Sequence, residues 1–288
     1  MLLTAIGLSL AAAALHGIWN VLAKVSGDPL ATFQRATLVG SAVMTPPTLV
    51  AWWLAGRPSL VPAAVGFAVL SAVFELAYLW LLSAAYARGE LSVVYPIARG
   101  SAPLLAVAFG FGVLGERLGP LQVAGVALLL GGILAVTLPQ TSGRATLPAL
   151  LTGVAIAAYT SVDRVGVRLI EPWLYGWLLV TLLAAGMAAS TTIVGRRREW
   201  TASSAAEPRP GQVSWRKASV VGVFMWGGYL LVLVALSLAP LAVVAPVRES
   251  AVVAVAVWGV WRLHERKAAG VKLVGAGATL VGVSLLAF

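Results

Sequence analysis

The stretch YPIARGSAPLLAVAFGFGVLGER, from Tyr95 to Arg117, returns near the other end of the chain as APVRESAVVAVAVWGVWRLHER, from Ala245 to Arg266. Arg99 and Arg248, Glu116 and Glu265, and Arg117 and Arg266 each stand 149 residues apart, and Pro96 and Pro246 match with an offset one residue longer. An apolar helix with a charge in its middle and an acid–base pair at its end, written twice, predicts a membrane protein of two related halves. The interior charges are then the first candidates for its working site.

Composition fits that reading. Hydrophobic residues make up 60% of the 288 and charged residues 10%, against roughly 25% charge in a soluble domain. The mean hydropathy is +0.94. The chain has no cysteine, which excludes disulfides, thiolate metal sites and cysteine catalysis. The net charge of +10 raises nucleic acid as a partner, but the basic residues stand mostly at the ends of apolar runs, where membrane orientation accounts for them. The apolar N-terminus lacks a basic leader and runs on into His16 and Asn20, so it reads as a first span rather than a cleaved signal.

Gly, Pro and charge punctuation divides the chain into ten runs: 4–24, 30–54, 62–86, 91–114, 119–138, 147–168, 173–195, 217–238, 241–262 and 269–287. Each has the roughly 17 to 25 residues that cross a bilayer as helix. The expectation is an all-α membrane protein with ten transmembrane helices in two five-helix repeats, 1–140 and 145–288, the second carrying an extended basic loop over 196–217. Five is odd, so the second repeat enters the membrane inverted. Thirteen lysines and arginines fall in loops on the side of Lys24, against Arg57, Arg117 and Arg168 on the other. The excess puts the first set in the cytoplasm and both termini outside.

Glu75, Arg99, Asp163, Arg164, Arg248 and Glu249 lie within these spans. Unpaired, six such charges would cost on the order of 15 to 20 kcal/mol on insertion scales. They must pair or face water. Arg99 and Arg248 are the candidates for substrate contact, because each follows a proline that frees backbone carbonyls, and a guanidinium holds a carboxylate or phosphate through two parallel hydrogen bonds. The alternative is that each arginine pairs with Glu75, Asp163 or Glu249 and locks helices together. Lys24 and Arg35 stand nearer helix ends, where they can snorkel.

His16, Asn20 and Lys24 recur at spacing four with Trp19 beside them, and Tyr159 and Asp163 repeat the spacing 143 residues on. This face suits a polar cavity, or equally hydrogen bonding between helices. His16, Glu75 and Glu249 are the candidates for carrying a coupling proton, the imidazole because its ordinary pKa lies near 6.5. Tyr78, Tyr95, Tyr229 and Trp226 are candidate aromatic walls. Gly125, Gly131, Gly132, Gly275, Gly277 and Gly282, in the fifth and tenth runs, predict close helix packing and offer a homodimer face.

The segments ALHGIWNVLAK, GELSVVYPIARGSAPLLA leading to LGERL, and LAPLAVVAPVRES leading to HERK resemble the drug/metabolite transporter superfamily, EamA type, over essentially the whole chain. The resemblance implies inverted five-helix repeats, spans one to four and six to nine around a central cavity, spans five and ten outside it, and alternating access that moves small metabolites outward by proton coupling or exchange. Many relatives of that type keep both termini in the cytoplasm; the positive charges here argue for outside, and the charges are followed.

The reading is a plasma-membrane secondary transporter, an inner-membrane one if bacterial. It exports an amino acid or similar carboxylate-bearing metabolite. Arg99 and Arg248 hold the anionic group, Glu249, Glu75 or Asp163 the amino group, and Asn20, Trp19, Tyr78, Tyr95, Tyr159, Tyr229 and Trp226 complete the binding site. The expectation includes no metal, no cofactor and no nucleic acid. The alternatives are an exporter of organic cations, with the acids as binding groups, a membrane-embedded enzyme, for which the sequence offers no nucleophile elbow, HExxH or phosphate loop, and a non-transporting membrane subunit.

Overall fold

A computed structural model describes residues 1–89, 91–137, 144–201, 213–250 and 269–286. These form ten helices and no strand: α1 Leu2–Lys24, α2 Pro29–Leu54, α3 Pro62–Arg88, α4 Leu91–Gly112, α5 Pro120–Thr137, α6 Thr146–Gly166, α7 Pro172–Thr201, α8 Trp215–Leu238, α9 Leu241–Glu249 and α10 Ala269–Leu285. The expected runs 241–262 and 196–217 are described only in part. Arg262, Glu265, Arg266 and Lys267 lie outside the described residues.

The punctuation seen in the sequence sets the boundaries. Helices α2, α3, α5 and α7 begin on proline, whose fixed φ suits the first turn and whose missing N–H has no helical partner there. The Asp28 carboxylate accepts from the Ala31 N–H at 3.0 Å and caps α2. Helix α7 runs six residues beyond the expected end at 195, because nothing between Arg196 and Thr201 breaks a helix; the next proline is Pro208.

Among the described residues, five helical stretches are long and apolar enough to cross a membrane: α1, α3, α6, Pro172–Ser190 of α7, and α8. Apolar segments Ile97–Gly112, Pro120–Ala135 and Leu273–Leu285 are shorter. The radial distribution of polarity is that of a membrane protein. Val43, Val73, Val274 and Leu280 are exposed, while Glu75, Arg99, Asp163, Arg248 and Glu249 are buried. The chain is an all-α membrane protein.

Helices α3 and α6 pack together as α8 and α1 do; α2 lies on α8 as α7 lies on α3; α4 lies on α6 as α9 lies on α1. The pairs α2–α7, α4–α9 and α5–α10 each join a helix to the one five places on. Exchange of the two sets of five thus maps each of these packed pairs onto another or onto itself.

Helices α5 and α10 meet backbone to backbone. A Cβ on Gly132 would fall 2.4 Å from the Gly275 carbonyl, and one on Gly125 would fall 2.8 Å from that of Gly282. Close approach through small residues is how helices associate in lipid. These four glycines are used within the chain; Gly131 and Gly277 meet nothing. Neither α5 nor α10 lines the central cavity.

Candidate functional site

Arg99 on α4 and Arg248 on α9 converge on one carboxylate. Arg99 Nη1 donates to both Glu249 oxygens, at 3.1 and 3.3 Å. Arg248 donates to Glu249 Oε1 through Nε at 2.8 Å and pairs with it through Nη2 at 2.7 Å. None of the three is more than 2% exposed, and in hydrocarbon such groups persist only when they satisfy one another. Arg99 Nη2 also donates to the Tyr78 hydroxyl at 3.3 Å. Arg99 lies 5.9 Å from the centroids of the Trp19 and Tyr95 rings, and Arg248 lies at the same distance from that of Tyr159. Arg248 Nη1 is buried without a partner among the described residues.

Beside this cluster lies a cavity of about 20 Å³, room for roughly one water. His16 and Trp19 reach it from α1, Glu75, Tyr78 and Leu79 from α3, Tyr159 from α6, Leu183 from α7, and Met225, Trp226 and Tyr229 from α8. Glu75 is its carboxylate, and among the described residues no cation stands within ion-pair distance of it. Rings run continuously round the wall. Tyr78 and Tyr159 centroids lie 5.6 Å apart, Tyr159 and Tyr229 5.9 Å, and Tyr229 and Trp226 5.9 Å. The indole N–H groups of Trp19 and Trp226 are buried with no acceptor among the described residues.

The polar faces of α1 and α6 serve different ends. Asn20 donates to the His16 carbonyl at 2.7 Å and accepts from the Tyr86 hydroxyl at 2.8 Å, so its amide makes a hydrogen bond between helices α1 and α3. Lys24 donates to the carbonyls of Tyr86, at 2.5 Å, and Gly89, at 3.0 Å, and closes the C-terminal end of α3. On α6, the fully buried Asp163 accepts from Tyr175 at 2.9 Å and from Tyr229. Tyr229 therefore shows its ring to the cavity and its hydroxyl to the acid behind. His16 Nδ1 lies 2.8 Å from the Ala12 carbonyl. Donation there leaves Nε2 as the acceptor.

The structure gathers His16, Trp19, Glu75, Tyr78, Tyr159, Trp226 and Tyr229 on one wall. Arg99, Arg248, Glu249, Asp163, Asn20 and Tyr95 stand behind it or pack elsewhere; Tyr95 is buried among residues of α5 and α9. Arg35 caps the Trp215 ring at 5.0 Å, away from the cavity.

Sequence reasoning marked Glu116 only as a repeated position at the end of an apolar run, without a role, and passed over Tyr86 and Tyr175. Gly115, at φ +62, takes the left-handed turn that glycine favours and leads into Glu116. That carboxylate accepts from Leu241 N at 2.7 Å and Ala242 N at 2.9 Å, capping α9, and from Arg164 Nε at 3.1 Å. Arg164, expected inside a span, also donates to the Leu236 carbonyl at the end of α8. An acid directly after glycine at the end of an apolar run was the available signal.

Residues 3–138 match the sequence model of the EamA-like transporter family. A solved crystal structure superposes on 99% of this chain and 98% of its own, with TM-score 0.66 at 17% identity; a likeness at that identity shows a shared fold. No curated protein sequence matches the chain significantly.

Proposed function

Over residues 3–138 the chain belongs to the EamA-like transporter family, within the drug/metabolite transporter superfamily, and from that premise we propose that it is a secondary active transporter exporting amino acids or closely related amine-bearing carboxylates by alternating access. The observation that carries the substrate class is the position of Glu75. It stands on the wall of an aromatic cavity with no cation within ion-pair distance among the described residues, whereas Glu249 lies between two arginines. A carboxylate ringed by aromatic faces attracts an ammonium group. The Trp19 and Trp226 indoles and Arg248 Nη1, donors without acceptors among the described residues, supply what a substrate carboxylate needs.

The arginines in this reading do not themselves clamp the substrate through two bonds. Glu249 occupies them, and they tie α4 to α9 behind the cavity. Among the described residues, three buried carboxylates stand against two buried arginines. His16 Nε2 and Glu75 are the groups placed to exchange a proton with the cavity. The exchange-invariant packing pattern and the 149-residue offset support two inverted repeats, 1–140 and 145–288.

An exporter of organic cations is the second reading, favoured by the same carboxylate among aromatics. Counterflow in proteoliposomes, preloaded in turn with amino acids, organic cations and organic anions, separates the two. Exchange of amino acids that disappears in Glu75→Gln is the expected result; exchange of cations alone selects the second reading, and exchange of anions alone sinks both.

A further inference from the structure

The central cavity is too small for a carbon skeleton. At about 20 Å³ it has room for one water, so a substrate whose amino group meets Glu75 must put its hydrocarbon part elsewhere. A second cavity of about 200 Å³ lies between α2 and α8, walled by Val39, Val43, Met44, Val223 and Leu230. For scale, an apolar cavity of about 150 Å³ stays dry and accepts benzene. Trp226 lines both cavities. Its ring rests in a notch at Gly40, where a Cβ would fall 2.0 Å from the indole Cδ1, so a larger residue at 40 would displace it. The indole is only 5% exposed and its N–H has no acceptor among the described residues, and a buried donor left unmet is uncommon in a finished fold.

We propose that the α2–α8 cavity is the subsite for the hydrocarbon portion of the transported amine, with Trp226 as the specificity-determining partition between that subsite and Glu75. The proposal rests on the amine reading of the Glu75 site. Glycine or alanine makes little use of the subsite; leucine or a benzyl-bearing amine fills it once the indole turns out of its notch. Val43 and Val223 are more than half exposed, so the cavity opens towards the bilayer, and a lipid acyl chain is the competing occupant.

Gly227 supplies the test. It lines the α2–α8 cavity, and a Cβ there meets nothing within 4 Å, so Gly227→Leu fills the space without moving backbone. Counterflow is measured with alanine and leucine, and with their decarboxylated analogues ethylamine and isoamylamine. The expected result is a fall of about tenfold or more in the large-to-small transport ratio, the scale of discrimination that hydrophobic pockets achieve. Gly66→Leu, on the exposed side of α3 where a Cβ also meets nothing, keeps the wild-type ratio. The isosteric Val39→Thr lowers the ratio severalfold and serves where Gly227→Leu fails to fold. An unchanged ratio in both cavity variants overturns the proposal and leaves the groove to lipid, with the transport reading intact. A wild type that exchanges none of the four probes overturns that reading, and this inference with it.

Discussion

Two polar regions lie side by side in the same hydrocarbon surroundings and are finished differently. In the Arg99–Glu249–Arg248 cluster every charge has a counter-charge within 3.1 Å. On the cavity wall, among the described residues, Glu75 has no cation within ion-pair distance and the Trp19 and Trp226 N–H groups have no acceptor. Charge at membrane depth is tolerated in either case, but for different reasons. The first region pairs all its charges, with only Arg248 Nη1 left over, and holds α4 against α9; the second leaves a carboxylate and two indole N–H groups facing the proposed substrate. Pairing, rather than the mere presence of charge, separates a structural rivet from a binding wall.

The largest expected effect breaks the rivet. Glu249→Ala leaves two guanidinium groups buried without an anion, a change that costs about 3 to 5 kcal/mol in buried pairs. Thermal unfolding in detergent should show a markedly lowered midpoint, with poor membrane yield. An unaltered midpoint would mean that water or Glu75 serves the arginines instead.

Glu75→Gln sharpens the contrast from the other side. The amide keeps the shape and removes the charge, so amine exchange should fall by roughly 10- to 100-fold, the loss of one charge-assisted contact. The midpoint of unfolding should stay at or above the wild-type value, because no cation loses its partner. Transport unchanged, or unfolding as severe as in Glu249→Ala, would place Glu75 among the structural charges.

Much of this was written in the sequence, for physical reasons that also mark where reading stops. Bilayer thickness fixes span length and proline fixes helix starts, so the expected runs fall within a few residues of the helices, apart from α7 and from the ninth run, whose end lies outside the described residues. The interior charges were visible because apolar neighbours make them conspicuous. Which carboxylate answers which arginine was not visible. Glu249 adjoins Arg248 in the chain yet lies 150 residues from Arg99, and the choice between Glu75, Asp163 and Glu249 is made by packing. Tyrosine in an apolar run reads as packing or as an interface anchor, so the hydrogen bonds of Tyr86 to Asn20 and Tyr175 to Asp163 left no trace. Glu116 was noticed as a repeated charge, but it stood outside the spans and was given no role, although its neighbour Gly115 already announced a turn.

Glu116 allows the comparison to be tested at a smaller scale. It caps α9 at the end opposite the Arg248–Glu249 pair and is held by Arg164. Glu116→Ala removes a helix cap worth about 0.5 to 2 kcal/mol and the anion of one guanidinium, Arg164, which keeps its bond to the Leu236 carbonyl. The loss should stay below that of opening the rivet, which strands two. Because α9 carries Glu249, a frayed first turn should also loosen the cluster. Hydrogen exchange should rise at Leu241 and Ala242 before it rises in α6. Equal exchange across α9 in variant and wild type would show that packing alone fixes this helix.

The smallest effect expected is at Tyr86, whose hydroxyl donates to Asn20 Oδ1 at 2.8 Å with both groups buried. Tyr86→Phe deletes one neutral hydrogen bond and leaves one lone-pair site of the amide oxygen empty, which costs about 1 kcal/mol. Asn20 keeps its other bond, to the His16 carbonyl, and neither residue lines the cavity. Unfolding should therefore shift by a few degrees while amine exchange stays near the wild-type rate, the reverse of the pattern at Glu75. If Tyr86→Phe slowed exchange as Glu75→Gln does, the polar face of α1 would belong to the binding wall after all, and the line between the two regions would have to be redrawn through Asn20.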